Sequence, residues 1–116
     1  MKVIDYRDVA PTDFPSPAVG TTGRVLLGKA DGAANFCMRM IEFAPGGETS
    51  RHSHPWEHEQ FVHAGTGQVF IEDRWHDMKP GSVAFIPSGV THQIRNTGTT
   101  PLLVVCLVPP FAPELL

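Results

Sequence analysis

The chain has 116 residues, of which 41% are hydrophobic and 18% are charged, an ordinary composition for one globular domain with its own core. The net charge of −3, without any block of like charge, argues against nucleic acid or an anionic membrane surface as a partner. The longest apolar run, residues 102–108, is too short to span a bilayer, and the charged N-terminal stretch lacks the apolar segment of a signal peptide. We therefore expect one cytoplasmic domain over residues 1–116.

The first segment of the chain is marked by proline. Residues 1–22 contain Pro11, Pro15 and Pro17, and proline fixes φ and removes a hydrogen-bond donor, so we predict an extended N-terminal arm there. After it, short apolar runs alternate with turns that contain Gly or Pro, without helical periodicity. The predicted strands, in chain order, are 24–28, 36–43, 58–64, 68–72, 75–78, 82–86, 91–95 and 102–108. This spacing predicts an all-β sandwich or barrel, and periodicity does not decide between the two.

Two cysteines, Cys37 and Cys106, each lie within an apolar run. One isolated pair does not make a disulfide framework, and a free cysteine in such a run behaves as a small hydrophobic residue. We expect both to be buried.

Three of the six histidines fall within seven residues. His52 and His54 are two positions apart, so on a strand they face the same side. A short turn would bring His58 back toward the same point, and His92 begins another strand after the turn at residues 87–89. On its own, the pair at 52 and 54 suits surface residues as well as metal ligands.

Two gapped patterns resemble the motifs of the cupin superfamily. The first family motif runs Gly, five residues, His-x-His, three or four residues, Glu, six residues, Gly. Residues 46–65 match it, except that His58 stands at the Glu position. The second motif, G-x5-P-x-G-x2-H-x3-N, is matched in full by residues 81–96. The resemblance implies a single cupin-type (jelly-roll) β-barrel.

Glu59 follows His58 and would also satisfy the looser spacing. The six residues before Gly65 are counted from position 58, however, and adjacent strand residues face opposite sides, so we predict His58 as the inward residue. The chain then resembles the small cupins with four histidine ligands, and within them the manganese-binding members, in residues 35–36 and 51–61. This resemblance implies one divalent metal ion per chain, with His52, His54, His58 and His92 as its ligands.

The resemblance points to manganese first. Imidazole also suits Fe, Zn, Ni and Cu, so the ligand set leaves those metals open.

Several further residues are predicted to line a pocket beside the metal. Strand parity places Gln60 on the face of His58, and Trp56 lies between two of the histidines. Arg39, if interior, needs a partner such as an anionic substrate; a rim arginine paired with a carboxylate is the favoured alternative. In similar cupins one face of the last strand lines the cavity. The predicted pocket residues are Arg39, Trp56, Gln60, Val104, Cys106 and Val108.

The same parity sends His63 outward, and Asn96, at a strand end, is interpreted as structural. No residue can be assigned as catalytic, because no convincing general base accompanies the histidines apart from the outlying Glu57.

The first functional hypothesis is a metal-dependent oxidoreductase acting on a small organic substrate. The resemblance implies neighbouring open positions on the metal for substrate and for dioxygen or a peroxide. The alternatives are a non-redox metal-assisted isomerase or hydrolase, and a non-catalytic cupin that binds a small ligand or metal. We also expect a homodimer formed by exchange of the N-terminal arm.

Overall fold

Residues 1–115, the part of the chain that the computed structural model describes, form nine β-strands and two short 3-10 turns. Over that range there is no helix with the length and apolarity needed to cross a membrane. The turns are Tyr6–Asp8 and Lys29–Asp31. The strands are β1 Thr12–Asp13, β2 Val19–Leu27, β3 Cys37–Glu48, β4 His58–Ala64, β5 Gly67–Ile71, β6 Arg74–Met78, β7 Val83–Ile86, β8 Gln93–Asn96 and β9 Leu102–Val108.

All strand pairs are antiparallel, and the sheet curls into a jelly-roll β-barrel. The main strand order is β6-β5-β8-β3-β9-β4-β7, with β2 also paired to β3 and β1 to β2. The long strand β3 thus contacts three neighbours, β2, β9 and β8, and carries the chain from one part of the sheet to the other. The predicted all-β barrel is confirmed.

Strand β3 is longer than predicted. The sequence suggests an end at the Pro-Gly-Gly of residues 45–47, yet β3 runs to Glu48, which pairs with Val19 and with Arg95. Gly20 and Gly46 adopt positive φ values of 56° and 78°, and the β2–β3 register shifts at the same place. A bulge with left-handed glycines bends a strand without ending it, and the bend delivers the chain directly to the first histidine motif.

The inner face of the barrel follows the predicted strand parity. Along β4 and β9, buried residues alternate with more exposed ones, and the buried set of β9 is Leu102, Val104, Cys106 and Val108. The main core cluster joins these strands to β3, β5, β7 and β8 through Ile41, Phe43, Val62, Val69, Ile86 and Ile94. Burial of this apolar surface is the main stabilising term of the fold.

The N-terminal arm packs on its own barrel. Residues 12–13 form β1 against β2, and Phe14 packs against the main core. Residues 19–22, included in the predicted arm, already belong to β2.

Candidate metal centre

His52 and His92 lie directly opposite each other on neighbouring segments. Each donates its backbone N–H to the carbonyl of the other, at 3.1 and 2.9 Å, as an isolated antiparallel bridge. The carbonyl of His54 accepts from the N–H of Gly89 at 2.8 Å. Three backbone hydrogen bonds therefore tie the two histidine motifs together, although 40 residues separate His52 from His92 in the chain.

Three of the four predicted ligands form one group, and the ring of His58 lies beside it. One ring nitrogen from each of His52, His54 and His92 lies within 4.8 Å of the other two. The ring of His58 has its centroid 4.7 Å from that of His54 and 5.2 Å from that of His92. The two Nε2 atoms of His54 and His58 are 2.9 Å apart.

Three of these imidazoles are oriented by backbone carbonyl groups. In each, Nδ1–H donates to the carbonyl of a residue two positions away, which leaves Nε2 with a free lone pair. The pairs are His52 with Ser50 at 2.8 Å, His54 with Trp56 at 2.8 Å and His92 with Val90 at 2.9 Å. The fixed tautomer is the one that a metal ligand needs.

His58 is held by side chains instead. Its Nδ1 lies 3.3 Å from the sulfur of Cys106 and 3.4 Å from Nη2 of Arg39. When Nδ1 carries the proton it donates to the sulfur, and Nε2 is then free to bind. The 2.9 Å between Nε2 of His54 and Nε2 of His58 is the distance of a hydrogen bond between the two rings.

Burial keeps the cluster uncharged. Loss of solvent lowers the pKa of His54, His58 and His92 to about 4, and it also lowers the pKa of His52. Neighbouring positive charge adds to the effect: Arg39 lowers the pKa of His58 further. The neutral imidazole is the form that binds a metal, so the site is preorganised for it at neutral pH.

Two neighbouring cavities lie beside the histidines. The inner one, inside the barrel, has a volume of about 40 Å³, and the outer cleft has about 280 Å³. Phe14, Thr49 and His52 line both. Trp56 forms a wall of the cleft and stacks on the His54 ring, with centroids 4.3 Å apart and planes 7° from parallel. A ligand in the cleft therefore meets an aromatic wall beside the cluster.

Most of the predicted pocket residues line these cavities. Arg39, Gln60, Val104 and Cys106 line the inner one, and Trp56 lines the cleft. Val108 does not: it is buried in a separate cluster with Cys37 and Ala112. Its strand parity is inward as predicted, but the end of β9 has passed beyond the cavity.

The rim position favoured for Arg39 is wrong. The side chain is 4% exposed, and among the described residues no carboxylate forms an ion pair with it. Its Nη2 donates to the Cys106 sulfur at 2.9 Å, and Nη1 donates to the Glu114 carbonyl at 3.4 Å. This charge is buried beside the histidine cluster because β3 directs odd-numbered residues inward.

The remaining polar residues lie as parity predicts. Glu59 is exposed on the outer face and therefore points away from the histidines. A hydrogen bond with Glu57 raises the pKa of Glu59 to about 7. His63 is exposed too, and its ring contacts Tyr6 at 5.7 Å. Asn96 is buried and bonds three backbone groups, which confirms its structural role.

Several cavity residues were not predicted from the sequence, among them the two that line both cavities with His52. Phe14 stands alone among the prolines of the arm, and only this isolated aromatic residue signals that the arm has something to bury. Thr49 accepts the N–H of Ile94 on its hydroxyl at 3.0 Å, which joins the end of β3 to β8. Phe14 lies outside both motifs, and Thr49 occupies a variable position of the first motif.

Comparison with known proteins gives one family. Residues 39–108 match the cupin domain family. Protein SchB of Streptomyces halstedii is 30% identical over 97% of this chain and 80% of its own length, and the tetracenomycin polyketide synthase protein TcmJ of Streptomyces glaucescens is 27% identical over 82% and 64%. The structure of the polyketide cyclase RemF from Streptomyces resistomycificus superposes with a TM-score of 0.90 at 32% identity, covering 97% of this chain and 82% of that one.

Proposed function

The chain belongs to the cupin family, and we propose that it is a metal-dependent cyclase that closes a ring in a polyketide chain without net oxidation or reduction. The observation that carries this proposal is the group formed by His52, His54 and His92, with His58 beside it, between an inner cavity and an apolar cleft. The likeness to a polyketide cyclase over nearly the whole chain supports the same chemistry.

His52, His54, His58 and His92 would hold one divalent ion per chain. Manganese remains the first candidate, and iron, zinc, nickel and copper also accept imidazole ligands. An ion in this position supplies Lewis acidity toward a carbonyl oxygen, which makes the adjacent C–H bonds more acidic. Ring closure by aldol condensation joins such a carbon to a second carbonyl carbon and releases water, so no oxidant or reductant is needed.

The side chains of the cleft would select and shape the substrate. Trp56, Pro15 and Pro17 give it flat apolar walls, which suit a planar conjugated chain and exclude water from one side. No carboxylate lines either cavity among the described residues. That composition favours assistance by a Lewis acid over catalysis by a carboxylate base.

The test uses a linear poly-β-ketone thioester and product masses. Metal-loaded protein should give a product lighter by one water molecule, and chelator treatment or His92→Ala should abolish it. His63→Ala, at an exposed histidine, is the matched control and should keep full activity. The absence of any cyclised product with metal-loaded protein would contradict the proposal.

A metal-dependent oxidoreductase is the second candidate, because the same imidazole set suits redox metals. It predicts consumption of dioxygen or a peroxide and a product that gains oxygen or loses hydrogen. The same assay separates it from a cyclase, from a metal-assisted isomerase or hydrolase, and from a module that binds a ligand unchanged.

A homodimer is proposed from an apolar patch on the outer face of β4, β7 and β9. Phe61 lies opposite Val83 on one side and Val105 on the other, and Phe85 extends the patch. Val83 is 78% exposed and Phe85 is 58% exposed, although both are large and apolar. Such contiguous surface marks association sites, and a second copy of the chain would cover it.

Sedimentation should give twice the chain mass for the wild type and the chain mass for Val83→Lys. Thr99→Lys, at an exposed position away from the patch, should remain dimeric. A monomeric wild type would contradict this assembly.

A further inference from the structure

Two residues that line the inner cavity each carry a buried polar atom without a hydrogen-bond partner among the described residues: Nε of Arg39 and Oε1 of Gln60. Both side chains are more than nine-tenths buried, at 4% and 8% exposed, and both line the cavity. Buried polar groups are paired in the great majority of folded proteins. An unpaired donor and an unpaired acceptor in one cavity therefore point to a ligand.

The pair is held in place by the sheet. Cys106 lies opposite Arg39 on one side and opposite Gln60 on the other, so the three residues form one row across β3, β9 and β4. Its sulfur accepts from Nη2 of Arg39 at 2.9 Å and from Nε2 of Gln60 at 3.5 Å. These contacts orient both side chains, and they leave Nε of Arg39 and Oε1 of Gln60 without a partner.

The unused groups define the chemistry of the ligand. A hydroxyl group accepts from the N–H of Arg39 and donates to the oxygen of Gln60, whereas an ether or a carboxylate lacks the proton to donate. The cavity volume of about 40 Å³ admits such a group and excludes a ring. The ring would remain in the adjoining cleft, beside Trp56 and the arm prolines.

We propose that Arg39 and Gln60 form a hydroxyl-recognition site that anchors a phenolic or enolic ring at the inner end of the metal pocket. This inference rests on the proposed function, because ring closure in a poly-β-ketone chain gives phenols and enols. It assigns a positioning role: the anchored hydroxyl fixes which part of the chain lies against the histidines.

The test compares two probes that differ only in the hydroxyl proton, 2-naphthol and 2-methoxynaphthalene. Calorimetric titration is carried out on metal-loaded and on chelator-treated protein. We expect the wild type to prefer 2-naphthol by at least about tenfold in both states. Gln60→Met, which keeps the side-chain length and removes the acceptor, should bring the two affinities to within about threefold, with metal content unchanged.

Gln68→Met on β5 is the matched control, since Gln68 bonds Asp77 and Arg95 away from the cavity, and it should keep the preference. Equal affinities in the wild type would overturn the proposal, as would failure of both probes to bind. A preference that survives in Gln60→Met, or that needs the metal, would assign the hydroxyl to the ion instead and also overturn it.

Failure of this site and failure of the cyclase function are separate results. A hydroxyl preference without cyclised product would retain the recognition site and reject the cyclase. Cyclised product without a hydroxyl preference would reject the recognition site and retain the cyclase.

Discussion

The histidine cluster should make the metal-free protein sensitive to mild acid. His58 and His92 are buried, and their pKa falls from 6.5 to about 4 in the folded chain. Between these values the unfolded chain binds protons that the folded chain does not, so stability is highest above pH 6.5 and falls as the pH decreases toward 4. Protonation of each ring lowers the free energy of unfolding by at most about 3 kcal/mol, and by less if water enters the site. A typical domain has a free energy of unfolding of roughly 5–15 kcal/mol in total.

Urea unfolding of chelator-treated protein, followed by tryptophan fluorescence from pH 7 to 4.5, measures this loss. Glu59 acts in the opposite direction, because its raised pKa makes the folded state gain a proton early, and Glu59→Gln removes that contribution. In His58→Gln the loss should be smaller, and in His63→Gln it should match the wild type. One equivalent of metal should protect the protein, since metal and protons compete for the same nitrogens. A free energy of unfolding that stays constant over this pH range would show that unfolding is not coupled to protonation of the buried histidines.

Further substitutions test the fold and the cleft. Asn96→Ala should lower the free energy of unfolding in urea by about 3 kcal/mol, because it leaves two carbonyls and one amide N–H without partners, and a loss below about 1 kcal/mol would contradict its role. Gly65→Ala should lower the free energy of unfolding by at least about 2 kcal/mol in the same assay, since φ is 81° and a Cβ would overlap the Pro101 carbonyl. Gly32→Ala, at a similar φ of 80° but in open space, should lower it by less. Equal losses for the two variants would show that the overlap with Pro101 is not the cause. Trp56→Ala should raise KM for the poly-β-ketone about tenfold with metal content unchanged, and an unaltered KM would remove Trp56 from the substrate cleft.

The two gapped motifs and strand parity were sufficient to predict the barrel and the inward histidines. Gly65 and Gly89, two of the motif glycines, have φ near 80°, so the motif records backbone geometry as well as ligands. Parity also placed Gln60 inside the barrel and Glu59 outside it, because alternation along a strand is a local property.

The sequence predictions were wrong where the structure depends on contacts between residues that are far apart in the chain. The extension of β3 depends on the pairing of Glu48 with residues far away in sequence. The bulge contains Pro-Gly-Gly, which in the sequence alone suggests a turn at the end of the strand. The burial of Arg39 depends on the Cys106 sulfur and the Glu114 carbonyl, which tertiary structure brings to it. Val108 was assigned to the cavity from the face that lines it in similar cupins, which gives the direction of a side chain and not its depth in the barrel.

Elemental analysis of protein purified without added metal is the most direct test of whether the four histidines hold one divalent ion. We expect about one ion per chain in the wild type, metal affinity at least about tenfold weaker in His58→Ala, and unchanged affinity in His63→Ala. A wild-type protein that binds no divalent metal even after reconstitution, or a His58→Ala variant that retains metal as tightly as the wild type, would contradict the account.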